Sequence, residues 1–402
     1  MRHRRVSFTN ANGERLVGRL ELPLAGAPRA HALFAHCFTC NKNLRAIGNI
    51  SRALTDQGFA VLRFDFTGLG ESEGDFADTN FSSNVDDLVA AASHMEREHA
   101  APQVLIGHSL GGAAVLQAAS RIESVRAVAT IAAPASPTYL RRHLASARQE
   151  IEAHGEAEVE IAGRPIRIKR QFLEDLEQHH MDSVIAELDA ALLVLHSPVD
   201  DVVGIDNAAR IFEKARHPKS FISLDTADHL LSRHEDSEYA GTTIGAWARR
   251  FVIDETPARP DSDAVTTRTE QGSFLTQVDA HGHVLLADEP ESQGGTDRGP
   301  SPYDFLGVAL GACTGMTLRL YARRKGWPLR SVTVAVRHAR IHAEDCASCE
   351  TADGRVDRLE RTLTLRGDLD DGQRQRLLEI AARCPVHRTL QSEVQVETRL
   401  AE

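Results

Sequence analysis

The sequence of 402 residues lacks the features that mark several classes of protein. Basic residues are not in excess: 46 Lys and Arg stand against 57 Asp and Glu, and the formal net charge of −11 argues against nucleic-acid or anionic-membrane partners. No apolar run approaches the roughly 18 residues that span a bilayer. The opening segment MRHRRVSFTN has no apolar stretch of the kind found in secretory signals. We therefore expect a soluble cytoplasmic protein without membrane or nucleic-acid partners.

Cysteine is also scarce, with six residues in the chain. Disulfides are rare in the cytosol, so we expect most of these cysteines to be reduced, and those that matter to be redox-active, catalytic or metal-binding. The hydrophobic fraction of 42% is ordinary for a globular protein, and the length predicts two or three domains. We expect no bound cofactor.

The segment LIGHSLGGAAVL, residues 105–116, is typical of a strand, a tight turn and a helix. Its turn fits the pattern G-x-S-x-G, which holds a serine hydroxyl exposed at a strained corner. We expect a side chain at Gly107 or Gly111 to collide with neighbouring backbone. A glycine-rich turn with an incidental serine is the alternative, but the strand and helix around it favour Ser109 as a nucleophile.

The first 252 residues alternate between apolar strands and amphipathic helices. This alternation predicts the α/β class, a mostly parallel sheet covered on both faces. The dipeptide Asn12-Gly13 predicts a hairpin near the start. Residues 135–185 break the rhythm, and we interpret them as a small cap over the sheet.

Two residues that follow later strands complete a nucleophile site. A serine needs a base to take its proton, and the base needs a carboxylate to orient it. Asp200 follows the strand ALLVLH, and His229 follows the strand FISLD. Asp201 and His234 are the weaker alternatives. The order Ser, Asp, His along the chain is the one expected in such a sheet.

An oxyanion needs two backbone N–H groups beside the nucleophile. We expect one from Leu110, the residue after the serine, and one from Phe38 or Cys37 in the loop after the strand at 31–36.

Residues 1–252 resemble α/β-hydrolases of the esterase, lipase and serine-aminopeptidase group. The resemblance rests on the stretch His36 to Thr39, the segment DFTGLGES at 65–72, the turn at 107–111, and the predicted base and carboxylate. It implies a hydrolase domain over 1–253. The stretch departs from the family's usual His-Gly at Cys37, which places a thiol beside the oxyanion site.

The segment DETPARPDSD, residues 254–263, is rich in Pro and Asp and is the best candidate for a linker. Strand-like runs follow it, then one long apolar helix over 302–325 that starts with Ser301 as N-cap. These elements predict an α+β domain over 264–402. Gly307, Gly311 and Gly315 recur every four residues, which leaves a bare helix face on which another helix can pack.

Two cysteines lie far apart in this second half. From the residues alone, Cys313 in the long helix is more simply a buried apolar cysteine. Cys384 precedes Pro385, which fits the first position of a new helix, so we expect Cys384 to be an N-cap with a lowered thiol pKa.

The segment GPSPYDFLGVALGACTGMTLRLYARRKGW, with the later Cys-Pro, resembles the OsmC/Ohr family. That resemblance implies an intimate homodimer that reduces organic hydroperoxides with a cysteine pair. It implies Cys313 as the peroxidatic cysteine and Cys384 as the resolving one, regenerated by a dithiol reductant. The family's supporting Glu corresponds to Asp304, which also fits a capping box, and Arg298 is the candidate for its supporting Arg.

One further cluster combines His338, His342, Cys346 and Cys349. Its spacing is compatible with zinc or a redox pair, and a solvated turn between two strands is the simpler interpretation. We expect no metal. The pair Cys37 and Cys40 is interpreted as a packed or redox-sensitive loop.

The sequence therefore predicts a serine hydrolase of carboxylic esters or thioesters, fused to a thiol-dependent hydroperoxide reductase. An aminopeptidase is the alternative for the first activity. For the second half, the alternative is a dimerisation module without chemistry of its own.

Overall fold

A computed structural model describes residues 2–24, 27–37, 41–139, 147–161, 164–254, 264–269, 272–342 and 354–400. The chain divides into two compact units, residues 1–260 and 261–402. The division falls within the predicted linker, of which residues 255–263 lie outside the described ranges.

The first unit alternates strands and helices, as its sequence pattern predicts. Its described strands are β1 (Arg2–Thr9), β2 (Arg15–Leu22), β3 (Ala30–Ala35), β4 (Phe59–Phe64), β5 (Val104–His108), β6 (Ala127–Ile131), β7 (Glu156–Ile161), β8 (Arg164–Lys169), β9 (Ala191–His196) and β10 (Lys219–Ser223). Its described α-helices are α1 (Arg45–Asp56), α2 (Phe81–Glu98), α3 (Leu110–Ala119), α4 (Arg148–His154), α5 (Arg170–Gln178), α6 (Met181–Ala186), α7 (Asp206–Lys214) and α8 (His234–Ala248).

Eight of these strands form one sheet in the order β1-β2-β4-β3-β5-β6-β9-β10. The hairpin β1–β2 and the pair β2–β4 are antiparallel, and every other neighbouring pair is parallel. Strands β3, β4, β5, β6 and β9 are buried along their whole length. Burial on both faces is the property of parallel sheets, and it confirms the predicted α/β fold class.

A hydrophobic core covers each face of the sheet. On one face, Val85 and Leu88 of α2 pack with α3 and the inner side chains of the strands. On the other face, α1 contributes Ile47 and Ile50, and α8 contributes Ile244. Buried residues spaced three or four apart give α1, α2 and α8 one buried stripe each, whereas α3 is buried on nearly every side. Both faces of the sheet are thus covered, and its carboxyl edge is left to carry a site.

The interruption predicted at 135–185 forms the hairpin β7–β8 and the short helices α4, α5 and α6, with residues 140–146 and 162–163 outside the described ranges. Asp175 of α5 accepts hydrogen bonds from the backbone N–H and the hydroxyl of Ser82, at 2.9 and 2.6 Å. Arg167 pairs with Asp75 at 2.5 Å. These contacts fasten the insertion to the segment that begins α2.

The second unit has the α+β composition that its sequence predicts. Its described elements are β11 (Thr266–Thr269), β12 (Thr276–Ala280), β13 (His283–Ala287), α9 (Pro302–Lys325), β14 (Leu329–His342), β15 (Arg355–Gly367), α10 (Asp371–Ala381) and α11 (Pro385–Leu390). Strands β11–β13 form one antiparallel sheet, and β14–β15 form another.

Helix α9 begins as predicted, because Ser301 and Asp304 form a reciprocal capping box and Pro302 lies in the first turn. Among the described helices, α9 alone is long and apolar enough to cross a membrane by length and composition, a test that core helices of soluble proteins also pass.

The glycine face of α9, predicted to pack against another helix, packs against a strand. A Cβ on Gly311 would lie 3.6 Å from the side chain of Val336, and one on Gly307 would lie 3.8 Å from the same residue. The glycines therefore face strand β14 rather than another helix, because the antiparallel β14–β15 hairpin lies along this side of α9.

Candidate functional site

Ser109 lies at the sharp corner between β5 and α3. Its backbone has φ 54° and ψ −128°, in the left-handed region that non-glycine residues rarely adopt. A Cβ on Gly107 would lie 2.3 Å from the carbonyl oxygen of Gly111, and one on Gly111 would lie 2.5 Å from that of Ala35. Only glycine fits at either position, which confirms the collision expected from the sequence.

His229 lies between Ser109 and Asp200. Its Nε2 is 3.0 Å from the Ser109 hydroxyl oxygen, and its Nδ1 is 2.8 Å from Asp200 Oδ2. The carboxylate follows β9 and the imidazole follows β10, so the carboxyl ends of neighbouring strands bring them to one edge of the sheet. The structure thus joins the three predicted residues in one chain of hydrogen bonds. Their catalytic roles stay predictions.

The two alternatives lie elsewhere. Asp201 is exposed, while the adjacent Asp200 has the contact with His229. His234 is exposed at the start of α8, where its ring is 3.6 Å from the carboxylate of Glu238.

Asp200 is held as an anion. Burial of this carboxyl opposes ionisation, but the hydrogen bond and the charge of His229 and the N–H groups of Val203 and Val202 outweigh it, so the pKa of Asp200 is lowered. Each of those N–H groups donates to Asp200 Oδ1 at 2.9 Å. Oδ2 is therefore left to accept the proton on His229 Nδ1, which orients Nε2 toward Ser109.

His108, the residue before the nucleophile, belongs to the same arrangement. It occupies an unspecified position of the G-x-S-x-G pattern, so the pattern does not indicate its role. His108 Nε2 donates to the backbone carbonyl oxygen of His229 at 2.7 Å. Desolvation by burial, together with the neighbouring charge of His229, lowers the pKa of His108 to about 3. His108 is therefore neutral across the physiological range.

A group of charged side chains, buried except for Glu71, lies beside the loop after β3. Lys42 Nζ is 2.5 Å from Asp65 Oδ2 and 2.6 Å from Glu71 Oε2, and the Lys42 N–H donates to Asp65 Oδ1 at 2.7 Å. Arg63 donates to the Lys42 carbonyl and pairs with Glu21 at 2.6 Å. These contacts anchor the carboxyl end of the loop predicted to supply an oxyanion donor.

The predicted oxyanion residues are only partly visible. Leu110 is the first residue of α3, where N–H groups have no acceptor within the helix. Cys37 is buried and disulfide-bonded, so the expected thiol is not present there because its sulphur is oxidised. Phe38, Thr39 and Cys40 lie outside the described residues.

In the second unit, the structure brings the two distant cysteines together. Cys313 and Cys384 are free, and the Cys313 side chain hydrogen-bonds the Cys384 sulphur. Cys384 is fully buried and is the N-cap of α11, with its sulphur 3.4 Å from the His387 N–H. The predicted N-cap is confirmed.

Arg361 of β15 is the arginine that the structure places beside this pair, and sequence spacing does not single it out. It donates to the Thr314 hydroxyl at 2.7 Å, and that hydroxyl lies 3.5 Å from the Cys384 sulphur. The sequence candidate Arg298 lies in a loop held by Asp288, to which its N–H donates at 3.2 Å. Asp304 serves as a cap, and its pKa is lowered by hydrogen bonds from Ser301.

The possible metal cluster is not assembled among the described residues, where no group of His, Cys, Asp or Glu could hold an ion. His338 donates to Asp357 at 2.8 Å and stacks on Tyr303. Cys346 and Cys349 lie outside the described ranges, so their pairing with His338 and His342 stays untested.

Comparison with known proteins identifies both units. The family model described as serine aminopeptidase S33 matches residues 26–151, and the model described as OsmC-like protein matches residues 295–399. The solved esterase domain of a Rhodothermus marinus protein is 50% identical, covering 62% of this chain and 99% of that one with a TM-score of 0.53. The chain is an α/β-hydrolase fused to an OsmC-like domain.

More distant relatives agree with the hydrolase assignment. The mitochondrial palmitoyl-protein thioesterase ABHD10 of Mus musculus is 26% identical over 194 residues, which cover 46% of this fusion and 64% of the thioesterase. The match thus spans less than two thirds of that relative. The structure of alpha/beta hydrolase domain-containing protein 10 from mouse has the same fold, with a TM-score of 0.53 at 22% identity over 61% of the fusion and 99% of that chain. The first unit is an esterase- or thioesterase-like hydrolase domain.

Proposed function

We propose that the hydrolase domain cleaves carboxylic esters or thioesters through an acyl-enzyme on Ser109. The observation that carries this proposal is His229, which is hydrogen-bonded to Ser109 through one ring nitrogen and to Asp200 through the other. A serine hydroxyl becomes an effective nucleophile only when such a base accepts its proton.

The chemistry follows from these contacts. His229 Nε2 takes the Ser109 proton while the serine oxygen attacks the acyl carbon, and Asp200 stabilises the imidazolium that forms. The Leu110 N–H and a donor from the loop containing Cys37 and Phe38 stabilise the oxyanion. His229 then protonates the leaving alcohol or thiol, and a water activated by the same nitrogen releases the acid.

The relatives support this substrate class. The esterase domain at 50% identity and the palmitoyl-protein thioesterase at 26% identity both act, by their names, on acyl esters of oxygen or sulphur. The S33 family model favours an aminopeptidase as the alternative. The three substrate types differ in the leaving group, and one panel compares them directly.

The test is turnover of short p-nitrophenyl esters, acyl thioesters and aminoacyl amides by the full chain and by Ser109→Ala. We expect ester or thioester turnover that the substitution abolishes while the far-ultraviolet spectrum stays unchanged. Ser120→Ala is the matched control, because Ser120 lies at the opposite end of α3. Retained turnover in Ser109→Ala rules out the nucleophile, and exclusive amide turnover favours the aminopeptidase.

We propose that the OsmC-like domain reduces organic hydroperoxides with Cys313 and Cys384. The Cys313 thiolate attacks a peroxide oxygen, an S–O bond forms, the O–O bond breaks, and the alkoxide leaves as the alcohol after taking up a proton. The Cys384 thiolate then attacks the Cys313 sulphur, and a disulfide forms as hydroxide leaves and is protonated. A dithiol reductant restores both thiols. The hydrogen bond between the two cysteines supports this pairing.

The alternative for this domain is a dimerisation module, and hydroperoxide consumption separates the two. We expect the full chain, supplied with a dithiol, to consume cumene hydroperoxide faster than Cys313→Ser does. Equal rates in the two proteins favour the module.

We propose that the OsmC-like domain also pairs with a second copy through α9. Val308, Met316 and Leu320 expose 58%, 72% and 50% of their surfaces on this helix. Exposing so much of an apolar helix face to water is unfavourable. Contiguous apolar patches of this kind mark interaction sites. The resemblance to an intimately dimeric family supports a second copy as the occupant.

A further inference from the structure

Cys384 lies at the end of a chain of contacts that runs from Arg361 through Thr314 to its sulphur, called the relay below. The thiol chemistry proposed above does not itself require this relay. Arg361 lies on β15, Thr314 on α9, and Cys384 at the start of α11. The guanidinium donates to the Thr314 hydroxyl oxygen at 2.7 Å, and that oxygen lies 3.5 Å from the sulphur. Three elements thus converge on one buried thiol.

We propose that Arg361 is a positioning residue that acts through the Thr314 hydroxyl to hold the Cys384 sulphur as a thiolate directed at Cys313. This inference rests on the proposed hydroperoxide reduction, in which Cys384 attacks the oxidised sulphur of Cys313.

The hydrogen bonds available to the Thr314 hydroxyl explain how the relay works. A hydroxyl has one proton to donate and two lone pairs that accept. While Cys384 is a thiol, the Thr314 proton goes to the Leu310 carbonyl at 2.7 Å, and the S–H and Arg361 both donate to the oxygen. When the thiol loses its proton, the hydroxyl turns its own proton to the sulphur. The guanidinium can donate in both states.

The arginine favours the ionised state for two reasons. Its donation polarises the Thr314 O–H, which makes that group a stronger donor to an anion. Its positive charge also stabilises the negative sulphur. Leu310 loses no essential partner, since its carbonyl also accepts the helical N–H four residues later.

The surroundings of Cys384 agree with this arrangement. Burial opposes ionisation of the sulphur, but donors from Thr314, the His387 N–H and Cys313, with the charge of Arg361, outweigh it, so the pKa of Cys384 is lowered. The backbone N–H that contacts the sulphur belongs to His387, whose ring is a further titratable group nearby in the chain. Burial and the charge of Arg361 lower the pKa of His387, so that ring contributes no positive charge near neutral pH.

The consequence for the reaction is a fast second step. A resolving cysteine that is already a thiolate attacks the sulfenic acid on Cys313 at once. A protonated resolving cysteine attacks more slowly. The sulfenic acid on Cys313 then has time to react with a second hydroperoxide, which oxidises it irreversibly to the sulfinic acid.

The first test measures the Cys384 thiolate directly, by its ultraviolet absorbance across a pH titration of the full chain in a Cys313→Ser background. The signal of Cys384 is the difference from the same protein carrying Cys384→Ala. We expect Arg361→Gln to move the midpoint upward and Arg366→Gln, an exposed arginine on the same strand, to leave it in place. An unchanged midpoint in folded Arg361→Gln overturns the proposal.

A second pair of variants, at Thr314, tests the relay if Arg361→Gln does not fold. Thr314→Val removes the hydroxyl at nearly the same volume, and Thr314→Ser keeps it. We expect the midpoint to rise in the valine variant and to return toward the original in the serine variant. Equal midpoints in the two variants contradict the relay.

The functional readout is the fate of Cys313 after hydroperoxide treatment, measured by mass spectrometry with both cysteines present. We expect several-fold more sulfinic acid at Cys313 in Arg361→Gln than in Arg366→Gln. In a protein that consumes hydroperoxide, an equal yield in the two variants contradicts the proposal. If the original protein consumes no hydroperoxide but the midpoint still rises in Arg361→Gln, the peroxidase proposal fails and the relay stands.

Discussion

His108 Nε2 donates a hydrogen bond to the backbone carbonyl oxygen of His229 at 2.7 Å. The two rings lie 5.1 Å apart between their centroids. The strand that presents Ser109 therefore also holds the main chain of its proposed base. Nucleophile and base are connected twice, once through their side chains and once through this backbone contact.

Removing this contact is expected to slow catalysis without weakening substrate binding. In His108→Leu the His229 loop loses its donor, and we expect kcat to fall about tenfold, the equivalent of one hydrogen bond, with little change in KM. His108→Asn retains a donor and is expected to recover part of the loss. Steady-state kinetics on a p-nitrophenyl ester check this, and a loss confined to KM contradicts it.

The same histidine makes the hydrolase domain sensitive to acid. Its pKa is lowered from 6.5 to about 3 on folding, so between these values the unfolded chain binds a proton that the folded chain does not. This stability is fully present above pH 6.5 and is lost progressively as the pH falls toward 3. One such proton gives a slope of about 1.4 kcal/mol per pH unit.

We expect His108→Asn to reduce the slope of the unfolding free energy against pH by up to the contribution of one proton. Trp247 lies in the hydrolase domain and Trp327 in the OsmC-like domain, so urea unfolding of a Trp327→Phe chain, followed by fluorescence, reports on the first domain alone. His36 and His196 also have pKa values lowered by burial, so part of the slope is expected to persist. Identical slopes with and without the substitution rule out the contribution of His108.

The sequence could point to the three residues of the Ser109 site because each lies in the turn or loop that follows a strand. In a parallel sheet the carboxyl ends of the strands lie at one edge, so all three residues are expected at that edge. The glycines of the turn are equally predictable, since the collision they avoid is local.

Other partners depend on packing that no local pattern records. His108 fills an unspecified position of its motif, and its acceptor is a backbone oxygen far along the chain. Arg361 reaches Thr314 only because β15 pairs with β14 in one register beside α9. The glycine spacing on α9 indicates close packing without indicating whether a helix or a strand packs there.

Asp200 and Asp201 provide a matched pair of adjacent carboxylates. Asp200→Asn leaves the shape of the site but no longer favours the His229 tautomer with its proton on Nδ1, so we expect kcat to fall about 10³- to 10⁴-fold. Asp201 is exposed, and Asp201→Asn is expected to be nearly neutral. Esterase assays on both variants check this. A larger loss in Asp201→Asn would reverse the assignment.

The buried pair of Lys42 and Asp65 is expected to stabilise the hydrolase domain. Lys42→Met leaves a buried carboxylate without its cation, which costs about 3–5 kcal/mol of unfolding free energy. Arg5→Met is the control, because Arg5 contacts the outer carboxylate Glu71 at the surface, where ion pairs contribute about 1 kcal/mol or less. Urea unfolding measures both, and equal losses would show that burial of this pair is unimportant.

The exposed apolar face of α9 gives the last prediction. If a second copy covers this face, Met316→Glu places a carboxylate in an apolar interface, and we expect the dissociation constant to rise at least about tenfold. Leu378→Glu is the control, because Leu378 is 54% exposed on α10 and is equally apolar. Sedimentation velocity is expected to give twice the 44.0 kDa of one chain for the original protein and for Leu378→Glu. Sedimentation of the original protein at 44.0 kDa over the whole concentration range would contradict pairing, and α9 would then need another explanation for its open face.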